Sequence, residues 1–495
     1  MGMSIHQSSF SAADFERFTE RLRANLQALE LLLARPDFGV GPSTLGAELE
    51  MSLVDGQGRA LCFNKALLGA DHSPQLQAEL NCFNLEYNLS FVNTKGKPFA
   101  RLEAEMSGAL EALARQVGEF GGRIAAAGIL PTLRPEDLDS SAMSDIPRFQ
   151  ALSNTIRQLR GGSFKIRIDG PEPLSCSAND VTLEGANNSF QLHFRVPPDE
   201  FIGTFNALQM VTPLAVAIGA NSPIFLEHRL WEETRIALFR QAVDTRGTAR
   251  AKRLEPSRVL FGNGWGRRSP MELFAEAAAL FPPLLPASGR EDPLGVAKAG
   301  GIPELAELCL HLSSVWPWNR PVYDPREGGH LRIEIRSLPS GPTPVDMTAS
   351  AAFLLGTAVG LRPAIDRMLL TFPFWCAEYN FYRAAKHGLD ADLLWPPGPF
   401  QAPVDTSVAI LIRDMVPVAE EGLAVMGVES GEIKRLLDII RGRLDTGING
   451  SRWQSRILEQ LEPQRSRTEA LGRLLELYLE RGASGCPVHE WDLGI

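Results

Sequence analysis

The chain has 495 residues, 44% hydrophobic and 22% charged, an ordinary globular composition that excludes a disordered polymer. A formal charge of -10 excludes a general nucleic-acid or anionic-membrane binder and leaves room only for a local basic patch. No low-complexity linker divides the chain and no fixed-period repeat is visible, so residues 1–495 are expected to form one large folded unit.

Ser11 and Asp14 read as an N-cap opening a helix to about Ala34, with Phe15, Phe18, Leu22, Leu26, Leu29 and Leu33 near helical spacing and Pro36 and Gly39 ending it. The stretch from Leu45 to Leu53 then alternates, sending Glu48 and Glu50 to one face of a strand and Leu49, Met51 and Leu53 to the other. Asp55-Gly56-Gln57-Gly58 predicts a turn into a short return strand through Leu61 and Phe63, a hairpin with that first strand. Asn84, Glu86 and Asn88 oppose Leu85, Tyr87 and Leu89 in the same manner. Pro98 to Ala127 predicts a long helix crossing a sheet, Ser144 to Leu159 a second helix, and Phe164 to Ile168 a further strand.

Alternation returns with Gln191, His193 and Arg195 against Phe190, Leu192, Phe194 and Val196. Pro198 to Val243 predicts helices broken at Gly219-Ala220-Asn221-Ser222-Pro223, which puts Asn221 and Arg229 at an element end. Leu254 to Pro325, rich in Gly, Pro and Trp, predicts long loops with short helices and a mobile cover. Arg332, Glu334 and Arg336 then oppose Leu331, Ile333 and Ile335, and the segment Ser337 to Pro344 ends that strand rigidly. Pro344 to Leu370, Phe372 to His387 and Val404 to Arg481 predict helices, with breaks near Gly427 and from Gly447 to Gly450. Sheet elements thus span about 44–338 and a helical C-terminal part about 345–482.

Four strands share one design, apolar behind and ionic in front. Ordinary solvent-facing strands are the alternative, because an antiparallel sheet can keep one wet face. The front positions, however, are concentrated in Glu, Arg, His, Gln and Asn, where wet strand faces usually carry Thr, Ser and Lys. In a common sheet the carboxylates would converge and raise one another's pKa unless a cation sat between them; magnesium or manganese suits such an oxygen cage. The arginines would then meet phosphate oxygens. A lone histidine is more often structural, but His193 shares its face with Gln191 and Arg195, which favours a site role.

Other chemistries lose their support. There is no Walker A loop, no Gly-x-Ser-x-Gly elbow and no His-Glu-x-x-His pair, and Gly262, Gly264 and Gly266 lack the strand-turn-helix context of a dinucleotide site. Asp37-Phe38-Gly39 spells a kinase tripeptide without the catalytic loop that would give it meaning. Six cysteines, Cys62, Cys82, Cys176, Cys309, Cys376 and Cys486, are scattered, so reduced thiols are expected. Met1 to His6 opens no apolar signal core, and the apolar stretches around Pro213 to Leu226 and Ala349 to Leu361 look too short or too interrupted to span a bilayer; a cytoplasmic protein is expected.

Gly46-x-Glu48-x-Glu50, Glu79 with Leu85-Glu86-Tyr87-Asn88, Gln191-x-His193, and Arg332-x-Glu334-x-Arg336 followed by Pro342-Thr343 come in a fixed order. Asn380, Arg383, Ala384 and Gly388, with Leu389-Asp390-Ala391, extend it. Together they resemble glutamate-cysteine ligases of type 2, the carboxylate-amine ligases of the glutamine synthetase-like superfamily. The resemblance implies an α+β fold: one catalytic domain with a curved antiparallel sheet and helices on its outer face. It implies ATP and Mg2+ or Mn2+, with a substrate carboxylate attacking the γ-phosphate and an amine displacing phosphate to leave an amide. Glu48, Glu50, Glu86 and Glu334 would hold metal, with Glu79 and His193 as further candidates. Arg336 would steady phosphoryl charge, with Arg229 and Arg383 beside it and Glu50 joining the catalytic group. Gln191, Arg195, Arg332, Asn221 and Asn380 are the substrate- and ATP-binding candidates. The expected partners are small amino acids and amines, glutamate with cysteine first among them, with no nucleic acid, no membrane, and a homo-oligomer left open. Phe381-Tyr382 stands where the family commonly has a tryptophan, and His387 where it varies, which puts the amine pocket in question. A guanidino-type phosphotransferase and a non-catalytic binding protein that keeps the fold are the alternatives.

Overall fold

The computed structural model describes residues 10–70, 73–247 and 255–494. The N-terminal stretch Met1 to His6 and Leu254, where the Gly-, Pro- and Trp-rich region was expected to begin, lie outside the described residues.

Eight strands form the central sheet: β1 (Thr44–Val54), β2 (Leu76–Ala78), β3 (Asn84–Asn88), β4 (Val92–Asn93), β5 (Arg123–Ala125), β6 (Phe190–Arg195), β7 (Asn319–Asp324) and β8 (His330–Ile335). Their order is β7-β8-β6-β1-β3-β2, with β4 and β5 also pairing with β1, and every pairing is antiparallel. The four segments of alternating sequence are therefore four consecutive strands, β8, β6, β1 and β3. Leu45, Leu49, Met51, Leu85, Phe190, Leu192, Phe194, Leu331, Ile333 and Ile335 are all buried on the back face. They join one core with Phe99, Leu102 and Met106 of the helix Pro98–Gly118 and Leu208, Val211 and Leu214 of the helix Pro198–Gly219. A slip of one residue would drive this apolar set into the charged face and the carboxylates into the core, which fixes the register.

The helices Pro198–Gly219 and Pro344–Leu361 pack on one another behind the sheet. Pro198–Gly219 and Pro344–Leu369, which extend past the two apolar stretches singled out in the sequence, are by length and composition long and apolar enough to cross a bilayer, and 89% of each apolar window is buried inside the protein. The helix Val408–Val425 lies so close to Pro344–Leu361 that a Cβ on Gly422 would stand 1.9 Å from the Gly356 carbonyl oxygen. The C-terminal helices break where expected, at Gly427 and Gly447, both in the left-handed region that a side chain would strain.

Four local expectations change. The predicted hairpin shrinks to a single bridge between Val54 and Ala60, because β3 and β5 take the β1 edge instead. The helix from Pro98 stops at Gly118, and after the Gly121-Gly122 turn Arg123–Ala125 pairs with β1. The region after residue 254 holds the edge strand β7, whose Pro321 suits an edge and masked the strand in the sequence. Cys62 and Cys82, expected as thiols, form a disulfide: the Phe63 and Asn64 amides donate to the Cys82 carbonyl and bring the two Cα atoms to 4.6 Å.

Candidate active site

Register builds the site. Glu334 of β8 sits opposite His193 of β6, His193 opposite Gly46 of β1, and Glu48 between Gln191 and Asn88. Gly46 adds no side chain in front of His193, and long side chains on diagonal positions can meet. His193 Nε2 accordingly lies 2.9 Å from Glu48 Oε1. One ligand atom from each of Glu48, His193 and Glu334 falls within 4.8 Å of the others.

A second group forms beside it. Glu50 of β1 is directly opposite Glu86 of β3, a like-charge pairing that destabilises a sheet unless a proton or a cation intervenes. Glu79, just beyond β2, completes the set; one oxygen from each of Glu50, Glu79 and Glu86 lies within 4.8 Å of the others. Its backbone is tied down where Ser144 Oγ donates to the Glu79 carbonyl at 2.6 Å. Burial, then the Glu50 charge, pushes the Glu79 carboxyl up to about 7. Burial and the charges of Glu48, Glu79 and Glu50 push Glu86 well above the carboxylate range, and Glu79 and Glu86 share a hydrogen bond. Burial also raises Glu50, against Arg336 and the Ser189 amide.

Arginine and amide donors hold the carboxylates in place. Glu50 accepts from the Ser189 amide at 2.6 Å and from Gln191 Nε2 at 2.7 Å. Arg336 Nη1 donates to Gln191 Oε1 at 2.5 Å and to Glu334 Oε1. Arg320 Nε donates to the other Glu334 oxygen at 2.6 Å. Glu334 is fully buried, and although burial alone would raise it, Arg320 and Arg336 hold it well below the ordinary carboxylate range. Burial likewise opposes ionisation of Glu48, and the neighbouring His193 draws it back down. The front face is thus largely covered rather than wet, with the carboxyls of Glu334 and Glu48 lowered and those of Glu50, Glu79 and Glu86 raised, a correction to the solvent-facing alternative.

Three residues of this constellation escaped the sequence reading. Arg320 sits on the unrecognised edge strand, and only its pairing opposite Glu334 reveals it. Glu184, in a short 3-10 turn before β6, has its carboxyl raised to about 8 by burial and by Glu79 and Glu50. Arg235 is buried, pairs with Glu233 at 3.1 Å and donates to the carbonyls of Arg336 (3.3 Å) and Ser337 (2.6 Å), fixing the backbone from which Arg336 projects. Nothing local in the sequence marks these two, because each reaches the site from a turn or helix.

Several sequence candidates are engaged elsewhere. Asn221 is fully buried and spends its amide on Ser340 O (2.7 Å), the Tyr478 hydroxyl (2.8 Å) and Gln454 Nε2 (2.9 Å); it braces the turn after β8. Asn380 is fully buried and exchanges two 2.7 Å hydrogen bonds with the Leu394 backbone. Arg229 pairs with Glu172 at 3.0 Å and Glu459 at 3.2 Å, tying a small ribbon to the C-terminal helices. Arg383 lies over the Tyr379 ring, 5.8 Å from its centroid. Arg195 and Arg332 share the front face but stand at its far end, where Arg195 bonds Glu327 at 2.7 Å and Arg332 lies 3.3 Å from Asp324.

The donor set fits hard divalent cations: carboxylate oxygens in two compact groups, with a histidine whose Nδ1 is buried without a hydrogen-bond partner. Residues 44–254 match the family model described as glutamate-cysteine ligase family 2 (GCS2). That match covers somewhat less than half of the chain. It contains Glu48, Glu50, Glu79, Glu86, Gln191 and His193, while Glu334 and Arg336 lie beyond it and reach the site through β8. No curated protein sequence matches the chain. The glutamate-cysteine ligase of Francisella tularensis, solved in complex with AMP, superposes with a TM-score of 0.52 at 11% identity, covering 92% of this chain and 91% of that one; the two share a fold. A bifunctional glutathione synthetase from Pasteurella multocida gives a TM-score of 0.48 at 12% identity over 92% of this chain and 54% of that chain.

Proposed function

We propose that the protein is an ATP- and magnesium-dependent ligase, with manganese as a substitute, that joins the γ-carboxylate of glutamate to cysteine or another amine through an acyl phosphate. Residues 1–495 would act as one catalytic domain on small molecules in the cytoplasm. The observation that carries this reading is the pairing of two compact acidic groups on adjacent strands with Arg336 between them. Glu48, His193 and Glu334 would hold one cation and Glu50, Glu79 and Glu86 another. Bound there, such cations would neutralise triphosphate charge and polarise the terminal phosphoryl group.

The remaining work belongs to the chain itself. Arg336, anchored by Glu334 and Gln191 and kept above its usual pKa by Glu334, Glu50 and Glu48 in spite of burial, presents a permanent positive charge where phosphoryl oxygens would gather. Glu50 is locked in orientation by the Ser189 amide and Gln191, so its carboxylate need not reorganise during reaction. Burial and mutual charge push the Glu79 and Glu86 carboxyls up, which favours a shared proton and limits repulsion on the acidic face. A sheet backed by a continuous apolar core keeps these groups at fixed spacing.

Incubation with magnesium-ATP and a pool of amino acids and amines, followed by mass spectrometry, tests the reading. A condensed product formed in step with ADP and phosphate is expected. ADP with a phosphorylated acceptor and no amide would replace it with a phosphotransferase, and no nucleotide turnover with any mixture would refute it.

A further inference from the structure

Arg148 stands in the first turn of the helix Pro147–Arg160 and is half-buried. Its Nη2 donates to Ser313 Oγ at 3.0 Å, and no described carboxylate stands within ion-pair distance. The other arginines around the acidic face all have one: Arg320 and Arg336 hold Glu334, and Arg235 holds Glu233. Position ties Arg148 to the same site. Arg320 Nη1 donates to Leu312 O at 2.9 Å, so the two guanidinium groups hang from adjacent residues. Four residues before Arg148, Ser144 grips the backbone of Glu79. Arg148 therefore stands at the β7 edge of the site, between Arg320 and the Glu79 group.

Removing a guanidinium from water without a counter-anion is costly, and Arg320 adds repulsion. An arginine that is satisfied by protein contacts does not show this arrangement. We propose that Arg148, flanked by Arg320, receives an oxyanion of the substrates, either the α-carboxylate of the amino-acid acyl donor or a phosphate group of the nucleotide. The identity of that anion rests on the ligase reading above. Four N–H donors of Arg148 remain for it, enough for a bidentate grip. Burial lowers the guanidinium from its ordinary value, while Glu79 raises it and Arg320 lowers it further, in keeping with a position facing both.

Calorimetric titration of the full chain and its Arg148→Gln and Arg148→Lys variants tests this with three probes: L-glutamate, 4-aminobutanoate, which keeps one carboxylate but lacks the α-carboxylate, and the magnesium complex of a non-hydrolysable ATP analogue. If the α-carboxylate is received, Arg148→Gln weakens L-glutamate about 10- to 100-fold, the size expected for a charged hydrogen bond, and leaves 4-aminobutanoate and the nucleotide within about twofold. If a phosphate is received, the same loss falls on the nucleotide analogue alone. Arg148→Lys restores part of the affinity, as a point charge does in place of a fork. The melting temperature of Arg148→Gln stays level or rises, whereas a purely structural arginine would lower it. Unchanged affinity for every probe, or a wild-type chain that binds none of them, overturns the proposal. Normal binding and the expected losses without any condensed product leave the anion site standing and overturn only the ligase reading.

Discussion

The acidic face makes its sharpest physical demand at Glu79. Burial and the Glu50 charge move its carboxyl from 4.5 up to about 7, so between these values the folded protein keeps a proton that the unfolded chain has released. A group raised on folding contributes stability below its unfolded value that is lost as pH climbs through the folded one. At about 1.4 kcal/mol for each pH unit separating the two values, the loss is about 3 kcal/mol and is complete above about pH 7. Burial and the charges of Glu48, Glu79 and Glu50 also push Glu86 well above the carboxylate range, so the contribution of Glu79 is isolated by substituting it alone. Glu79→Gln conserves size and abolishes the titration. In EDTA, urea denaturation should find variant and wild type within about 1 kcal/mol at pH 5 and the variant more stable by about 3 kcal/mol at pH 8. Millimolar Mg2+ or Mn2+ should reverse the order at pH 8, because a cation stabilises the fold only through the ionised cluster. Parallel pH profiles, or a variant less stable than wild type at pH 8 in EDTA, would refute the reasoning.

Glu334→Gln should cut turnover by at least about 10^3-fold and also lower stability by about 3–5 kcal/mol, since it leaves Arg320 and Arg336 buried without their carboxylate; steady-state rates and urea curves check both. Asn380→Ala should cost about 1–3 kcal/mol in the same denaturation assay while leaving the KM for either substrate unchanged, because its amide serves only the Leu394 backbone. Arg229→Gln should leave kcat/KM within about twofold and cost no more than about 1 kcal/mol, as expected for a half-exposed ion pair outside the site.

Alternation pointed to the residues that the structure gathers into the candidate site. Glu48, Glu50, Glu86, His193, Glu334 and Arg336 announce themselves because strand periodicity is exactly two residues and an anion cannot be traded for a leucine without reversing the face. Residues that support the site from turns and helices carry no such period. Asn221, Asn380, Arg229 and Arg383 were candidates by type and position, and the structure engages them in backbone hydrogen bonds, ion pairs or a ring contact.

The amino-acid order alone therefore determined which residues share a strand face, which helices are apolar, and where glycines must break the C-terminal helices. It could not determine that β8, β6, β1 and β3 are neighbours, because strand order depends on long-range pairing free energies that no local window contains. That adjacency brings Glu48, His193 and Glu334, residues up to 286 positions apart, within 4.8 Å, and adds Arg320 from an edge strand disguised by Pro321. Burial is likewise a tertiary property: only when the surrounding elements close over the front face do ordinary carboxyls become a group that keeps a proton near neutral pH.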